Sequence, residues 1–292
     1  MQDPSLLTTA EIAAYLRVKE RTIYEMVNRQ TIPFTRVTGK LLFPRRLIDA
    51  WVEAQTEHPA GGPAAPPPIY AGSNDPLLEW ALRESGSGLA VLASGSGEGL
   101  AALAEGQAVL AGCHLLDPES GEYNLPAVRA RLSGGIVVIH WARREQGLLV
   151  APGNPLGITD LSDVAARGLR LARRTAGSGS ERLLDVLLTR AGLTPMAVQP
   201  AARRVATHAD LATMVATGEA DCGLGLKAVA GPLGFLPLIA DECFDLVLRR
   251  RDYFEAPVQA LLRFARGPDM AARAARLGGY DLTDLGAVRW NG

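Results

Sequence analysis

The sequence predicts an α/β protein preceded by a winged helix-turn-helix. Three observations carry this reading. Residues 59–68 read PAGGPAAPPP, too rich in proline and glycine for a helix or a paired strand. Ahead of this run stand two short helical patterns, a hairpin signal and a third helix. Behind it, short apolar runs alternate with helical patterns, the signature of an α/β architecture. The expected organisation is a winged helix-turn-helix domain over 1–58, a Pro-rich linker over 59–68 and an α/β domain over 69–292. With 48% hydrophobic residues in 292, the chain has core material for two domains.

Charge is nearly balanced, 30 Lys and Arg against 31 Asp and Glu, so any argument for nucleic acid has to be local. Cys113, Cys222 and Cys243 show no CxxC or Cys/His spacing, which argues against a zinc site and a disulfide framework. A metal held directly by protein ligands is not expected. No basic-plus-apolar leader precedes the first helical pattern, and no apolar run approaches ~18 residues. A cytoplasmic protein that does not enter a membrane is expected.

Thr8 or Thr9 can cap a first helix over Ala10–Leu16, with Glu11 near its positive end. Arg17, Val18 and Lys19 make a short turn. A second helix over Glu20–Arg29 turns Ile23, Met26 and Val27 inward and presents Arg21, Thr22, Tyr24 and Glu25. Two helices joined in this way form a helix-turn-helix, whose second helix enters the major groove. Strands over Phe34–Val37 and Leu41–Phe43 flank Thr38-Gly39-Lys40 as a wing. A closing helix over Leu47–Gln55 is expected to bury Leu47, Ile48, Trp51 and Val52. Residues 1–46 hold eight Lys or Arg against four Asp or Glu, a modest local excess of positive charge. The plainer alternative is a helical interaction module with a solvated basic face; the order of elements is more specific than the charge.

The pattern TxxEIAxxLxVxxRTIYxxVxxxxIPxxRxxGKLxFPxxxIxxW resembles the excisionase/MerR-type winged helix-turn-helix domains over nearly all of residues 6–55. The resemblance implies double-stranded DNA as partner. It points to Arg21, Thr22 and Tyr24 on the recognition helix and Arg36 and Lys40 on the wing.

In the second part, strands are read at 69–73, 89–93, 108–112, 136–141 and 147–151, then around Leu169–Leu171, 220–226 and 244–248. Three strand-to-helix junctions repeat one chemistry: Gly72-Ser73, Ser94-Gly95-Ser96 and Thr175-Ala-Gly-Ser178-Gly-Ser180. Open α/β sheets bind ligands at the C-terminal ends of their strands. Small hydroxylated residues that free backbone N–H groups at a helix start make an anion cradle. Arg173 or Arg174 can add charge-assisted bonds. Any one junction reads as ordinary capping; three together favour a ligand site. The P-loop pattern GxxxxGK[ST], a junctional GxGxxG and a GxSxG elbow are all missing, against nucleotide hydrolysis, a dinucleotide and a hydrolase. His114 and His208 each read first as structural histidines, and Thr207 as a helix cap.

The segments AGCHLLDPESGEYNLPAVR, RREQGLLVAPGNPLGITDLSDVAARGLRLARRTAGSGSERLLDVLL, EADCGLGL and GYDLTDLGAVRW resemble periplasmic-binding-protein-type substrate-binding domains. The version is that fused to helix-turn-helix regulators and similar to molybdate/tungstate-binding proteins. The resemblance covers almost all of 69–292. It implies a type II bilobal fold, with lobe one at about 69–147 and 246–292 and lobe two at about 148–245. It also implies a ligand held by Ser73, Ser94 or Ser96, Arg174, Thr175, Ser178 and Ser180. A Ser-His-Asp-Pro segment is common in that family where this chain has Ser73-Asn74-Asp75-Pro76, which bears on ligand choice. The expectation is a one-component, homodimeric regulator that is not an enzyme, uses no cofactor and senses a small oxyanion, molybdate or tungstate foremost. The rival readings are a sensor of an organic anion and an enzyme of molybdenum cofactor metabolism, for which His114 and Asp117 are the tempting pair.

Overall fold

A computed structural model describes residues 6–37, 39–55 and 65–292; most of the expected linker and Thr38 of the expected wing lie outside them. The chain divides into two compact units, residues 1–64 and 65–292.

The first unit is built from β1 (Leu6–Leu7), α1 (Thr9–Tyr15), α2 (Glu20–Asn28), β2 (Thr35–Val37), β3 (Lys40–Pro44) and α3 (Arg45–Gln55). Thr8 caps α1 in a reciprocal box: its hydroxyl accepts from the Glu11 N–H, and Glu11 accepts from the Thr8 N–H. Ile12, Ile23, Val27, Phe43 and Ile48 form the core, drawn from both helices, the hairpin and α3. β1 adds a third, antiparallel strand beside β3, which the sequence reading passed over. One expectation is corrected. Ile48 is buried and Trp51 half-buried, but Leu47 and Val52 are 44% and 36% exposed, because α3 packs on the core through a narrow stripe around Ile48. The Arg45 guanidinium lies 4.2 Å from the Tyr15 ring centre, and Tyr15 donates to Asp49.

The second unit runs β4 (Ile69–Gly72), α4 (Pro76–Glu84), β5 (Ala90–Ala93), α5 (Ser96–Ala104), β6 (Leu110–Cys113), α6 (Leu125–Arg131) and β7 (Ile136–Val150). It continues with α7 (Leu161–Ala166), β8 (Arg170–Arg174), α8 (Gly179–Arg190), β9 (Gln199–Val205), α9 (His208–Ala216) and β10 (Cys222–Leu226). Then come β11 (Gly234–Arg249), α10 (Ala256–Ala265), α11 (Pro268–Leu277), β12 (Tyr280–Asp281) and β13 (Val288–Asn291). The sheet order is β5-β4-β6-β11-β7-β10-β8-β9, with β12 and β13 also on β7.

Two long strands make this unit bilobal. The start of β7 pairs with the end of β11 among β4, β5 and β6, and the end of β7 pairs with the start of β11 beside β10. The ladder between them breaks register at Pro237/Ile239, Ile239/Glu242 and Phe244/Asp245. Bulges of this kind bend a strand and raise its twist. The two strand segments read at 136–141 and 147–151 are therefore one strand, and ARREQ between them crosses from lobe to lobe. Polar residues there masked the continuity.

Each lobe has its own apolar clusters. Trp141, Phe244, Leu77 and Leu261 belong to one, and Leu148, Leu171, Leu184 and Leu188 to the other. The crossing itself is polar. Arg144 and Glu242 are both 0% exposed. Arg144 donates to Glu242 through Nε (2.9 Å) and Nη2 (2.5 Å) and to Asp75 through Nη1 (3.0 Å). Gln146 and Tyr280 complete the set, donating to Glu242 and Asp75 respectively. Burial pushes the Glu242 carboxyl up, but Arg144, His114 and Gln146 outweigh it and hold it at about 2. Its folded value lies below the ordinary 4.5, so the stability it adds is complete above that range and is lost as pH falls toward 2.

Removing one member of a buried ion pair strands the other charge. Arg144→Met is expected to lower the unfolding free energy of the second unit by about 3–5 kcal/mol, read from urea denaturation at neutral pH.

Candidate functional site

Four helix N-termini meet over one cleft of the second unit. The cleft encloses about 280 Å³ and is lined by the residues that precede each helix: Ser73 and Asn74 before α4, Ser94 and Gly95 before α5, Arg174 to Ser178 before α8, and Ala206 before α9. His114, just past β6, completes the wall. β4 and β5 are parallel, as are β8 and β9, so these junctions share the carboxyl ends of their strands. Helix N-termini carry partial positive charge and unpaired N–H groups.

Close packing of glycine places the first half. A Cβ at Gly99 of α5 would lie 2.5 Å from the Gly72 Cα, and one at Gly72 would lie 2.3 Å from the Gly112 oxygen. Gly72 also has φ +124°, a backbone that side chains rarely adopt. α5 therefore sits directly on β4 and β6. That approach brings the Ser73 and Ser96 hydroxyls to 2.6 Å, and Ser96 accepts from the His114 N–H.

The second half is set by β8 and α8. Ser178 caps α8, its hydroxyl accepting from the Glu181 N–H. Arg173 and Arg174 point to opposite fates. Arg173 is paired with Glu181 and Asp185 and is not among the lining residues. Arg174 lines the cleft at 7% exposure; its Nη2 donates to the Ala206 carbonyl at 2.6 Å. Its Nε and Nη1 are buried and have no hydrogen-bond partner. Burial, with Arg144 nearby, brings the Arg174 pKa down to about 10, still cationic at neutral pH.

Of the seven expected ligand residues, Ser73, Ser94, Arg174, Thr175 and Ser178 line the cleft. Ser96 and Ser180 stand behind the lining: Ser96 backs Ser73, and Ser180 meets His208 Nε2 at 3.1 Å. Sequence reasoning underrated His114. Its Nδ1 lies 2.6 Å from Glu242 Oε1, its ring stacks on Phe244, and its edge packs directly against Gly179 at the start of α8. A buried histidine between two lobes leaves no periodic signal. Asp117 does not join it; that side chain is tied to Ser120 and the Glu119 N–H in its own loop.

Among the described residues, His140, Cys243 and Asp245 have the spacing of a metal site. The atoms that face one another, His140 Nδ1, Cys243 Sγ and the Asp245 carboxylate, are already engaged with each other or with neighbours. Asp245 accepts from His140, Asn124 and Arg289. Burial disfavours the His140 imidazolium, but hydrogen bonds to Asp245 and Cys243 lift its pKa to about 9. A protonated ring beside an arginine suits a hydrogen-bonded cluster rather than a cation site.

On the first unit, Tyr24, Arg36 and Lys40 border one surface depression with Thr8, Thr9 and Ala10. Arg21 is exposed on the same helix as Tyr24 and pairs with Glu25 at 3.0 Å, and Thr22 is half-buried.

Residues 79–266 match the PBP superfamily domain. The chain belongs to the PBP superfamily. Residues 6–56 match a helix-turn-helix domain, so the chain joins a DNA-binding domain to a PBP-like ligand-binding domain. Over 99% of its length and 99% of the relative, the chain is 27% identical to the uncharacterized protein YvgK of Bacillus subtilis (strain 168). In fold it is similar to a protein described as a phosphate ABC transporter substrate-binding protein, with bound phosphate, from Clostridium perfringens. That match has TM-score 0.54 and 13% identity, over 72% of this chain and 96% of that one. It is also similar to a tungstate ABC transporter structure from Geobacter sulfurreducens, with TM-score 0.51 and 16% identity, over 71% of this chain and 97% of that one. No helix of the described residues is long and apolar enough to cross a membrane.

A Cβ at Gly179 would fall 2.6 Å from the His114 ring. Gly179→Ala is expected to cost about 1–3 kcal/mol by overpacking. Chemical denaturation should show most of that cost vanishing in a His114→Ala background, as a double-mutant cycle measures for side chains in contact.

Proposed function

We propose that this chain is a cytoplasmic, one-component transcriptional regulator that senses a small oxyanion, molybdate or tungstate foremost. One observation carries the ligand class: Arg174, buried on the cleft wall, keeps two guanidinium nitrogens without partners while helix N-termini converge on the same space. A buried cation with unspent donors is costly unless an anion satisfies it. Hydroxyls of Ser73, Ser94, Thr175 and Ser178 add neutral donors. No cofactor and no catalysis enter this reading.

DNA contact is assigned to Arg21, Thr22 and Tyr24 on α2 and to Arg36 and Lys40 of the wing. Two half-sites read by a homodimer are the usual geometry for such domains. Ligand acts by binding one arrangement of the lobes better than the other; without that difference nothing shifts. The cleft volume favours a second reading, a larger organic anion, since about 280 Å³ is roughly nine times the ~30 Å³ share of one water.

Thermal unfolding of the full chain against molybdate, tungstate, sulfate, phosphate and small carboxylates tests the ligand class. A true ligand at 100 times its Kd adds about 2.7 kcal/mol. Arg174→Met should abolish that gain, and a shift that survives the substitution removes Arg174 from the site. For DNA, Arg21→Ala is expected to weaken operator binding in a mobility-shift titration while anion binding is unchanged; equal DNA affinity would take Arg21 out of the interface.

A further inference from the structure

Most polar side chains lining the cleft carry donors; Asn74 also has an amide oxygen, and the Glu98 carboxylate stands beside Gly95 of the lining. Arg174 keeps Nε–H and Nη1–H unpartnered, Ser73, Ser94, Thr175 and Ser178 carry hydroxyls, and α5 and α8 start at the cleft wall with their partial positive charge. His114 is different because of what lies behind it. Glu242 Oε2 is taken by Arg144, and Oε1 by Gln146 and His114 Nδ1. A carboxylate only accepts, so His114 Nδ1 must carry the proton. Nε2 is then the ring nitrogen left for the cleft, and in the neutral ring it presents a lone pair.

The ring is neutral before ligand arrives. Burial lowers its pKa first, and Arg144 and Arg174 lower it further, against the opposing pull of Glu242. The charged or titratable groups facing it are Glu242 from β11, Arg144 from β7, Arg174 from β8 and His208 from α9; His208 is itself held neutral, by burial and then by Arg174, Arg144 and His114. A fully ionised oxyanion placed among the donors sets its own lone pairs against that of Nε2. A proton between them converts repulsion into a charge-assisted hydrogen bond, while Glu242 stabilises the imidazolium from behind.

We propose that the cleft takes its anion together with one proton, held between His114 Nε2 and a ligand oxygen, which makes His114 the residue that selects the ligand's protonation state. This rests on the anion-binding reading above. A dianion such as molybdate, tungstate or sulfate draws the proton from solvent, and the complex contains ligand, His114 imidazolium and no other change. Hydrogen phosphate brings its own proton and needs none.

Calorimetric titration of the full chain between pH 7 and pH 9 tests this. His114 is neutral when free and protonated when bound, so dianion affinity falls with rising pH, approaching tenfold per unit for one linked proton. Molybdate, tungstate or sulfate, whichever binds, is expected to follow that slope. His114→Gln, whose amide donates without titrating, should flatten it. Titration in two buffers of different ionisation enthalpy should show uptake of about one proton per site by wild type, a reading that needs no variant. Dianion binding that is independent of pH, absence of proton uptake, or a slope that persists in His114→Gln overturns the inference and leaves the anion site standing. Failure of every anion to bind at any pH overturns the anion reading and this inference with it.

Discussion

The Glu242 carboxylate, buried where the two long strands cross between lobes, is the constraint on which the second unit depends. Its two oxygens accept from Arg144, Gln146 and His114. Arg144 in turn grips Asp75, which caps α4 and accepts from Tyr280 near the chain's end. One acid thereby ties β11 to β7, β7 to the first helix of lobe one, and both to the histidine on the cleft wall. Buried ion pairs of this kind add little over an apolar core of the same shape, and their value lies in specifying one arrangement. Here the arrangement specified is the bend of β7 and β11.

The same network decides which cation is free to act. Arg144 lies 4.4 Å from the Phe244 ring centre and spends its donors on Asp75 and Glu242. Arg173 is spent on Glu181 and Asp185, and Arg204 reaches Glu181 at 2.6 Å. Arg174, one residue from Arg173, points to the other side of its strand, as alternation in a β-strand requires. Its charge is left facing the helix starts rather than a carboxylate. The lining of the cleft thus follows from which arginines are paired with carboxylates as much as from the hydroxyl-rich turns.

Much of this was legible in the sequence because its signals are local. Thr8 with Glu11, the Val18 turn and the Gly39 hairpin each announce a short element that the chain forms where expected. Ser73, Ser94 and Ser178 each stand at a strand-to-helix junction, and junctions converge in an α/β fold, so all three reach one cleft. What escaped reading is what depends on distant partners. ARREQ, polar by composition, is the middle of a strand because Glu242 and Asp75 neutralise it from far along the chain. Leu47 and Val52 look like core residues and are exposed because which stripe of α3 meets the core is a matter of tertiary packing, and Ile48 carries it. Arg173 and Arg174 could be told apart only once Glu181 and Asp185 were placed.

The contact among Gly72, Gly99 and Gly112 bears on how such a chain can diverge. Each position leaves no room for a methyl group against the backbone or side chains of its neighbours. At Gly99 and Gly72 the obstacle is backbone, which cannot be trimmed; at Gly112 it is the Tyr70 and Phe244 side chains. A side chain at Gly99 would have to lift α5 from β4, parting the Ser73 and Ser96 hydroxyls and moving the helix start that faces the cleft. The cleft can therefore be retuned through Ser94 or Thr175 in its lining, while the helix behind Ser73 stays fixed by Gly72 and Gly99, which have no side chain to vary.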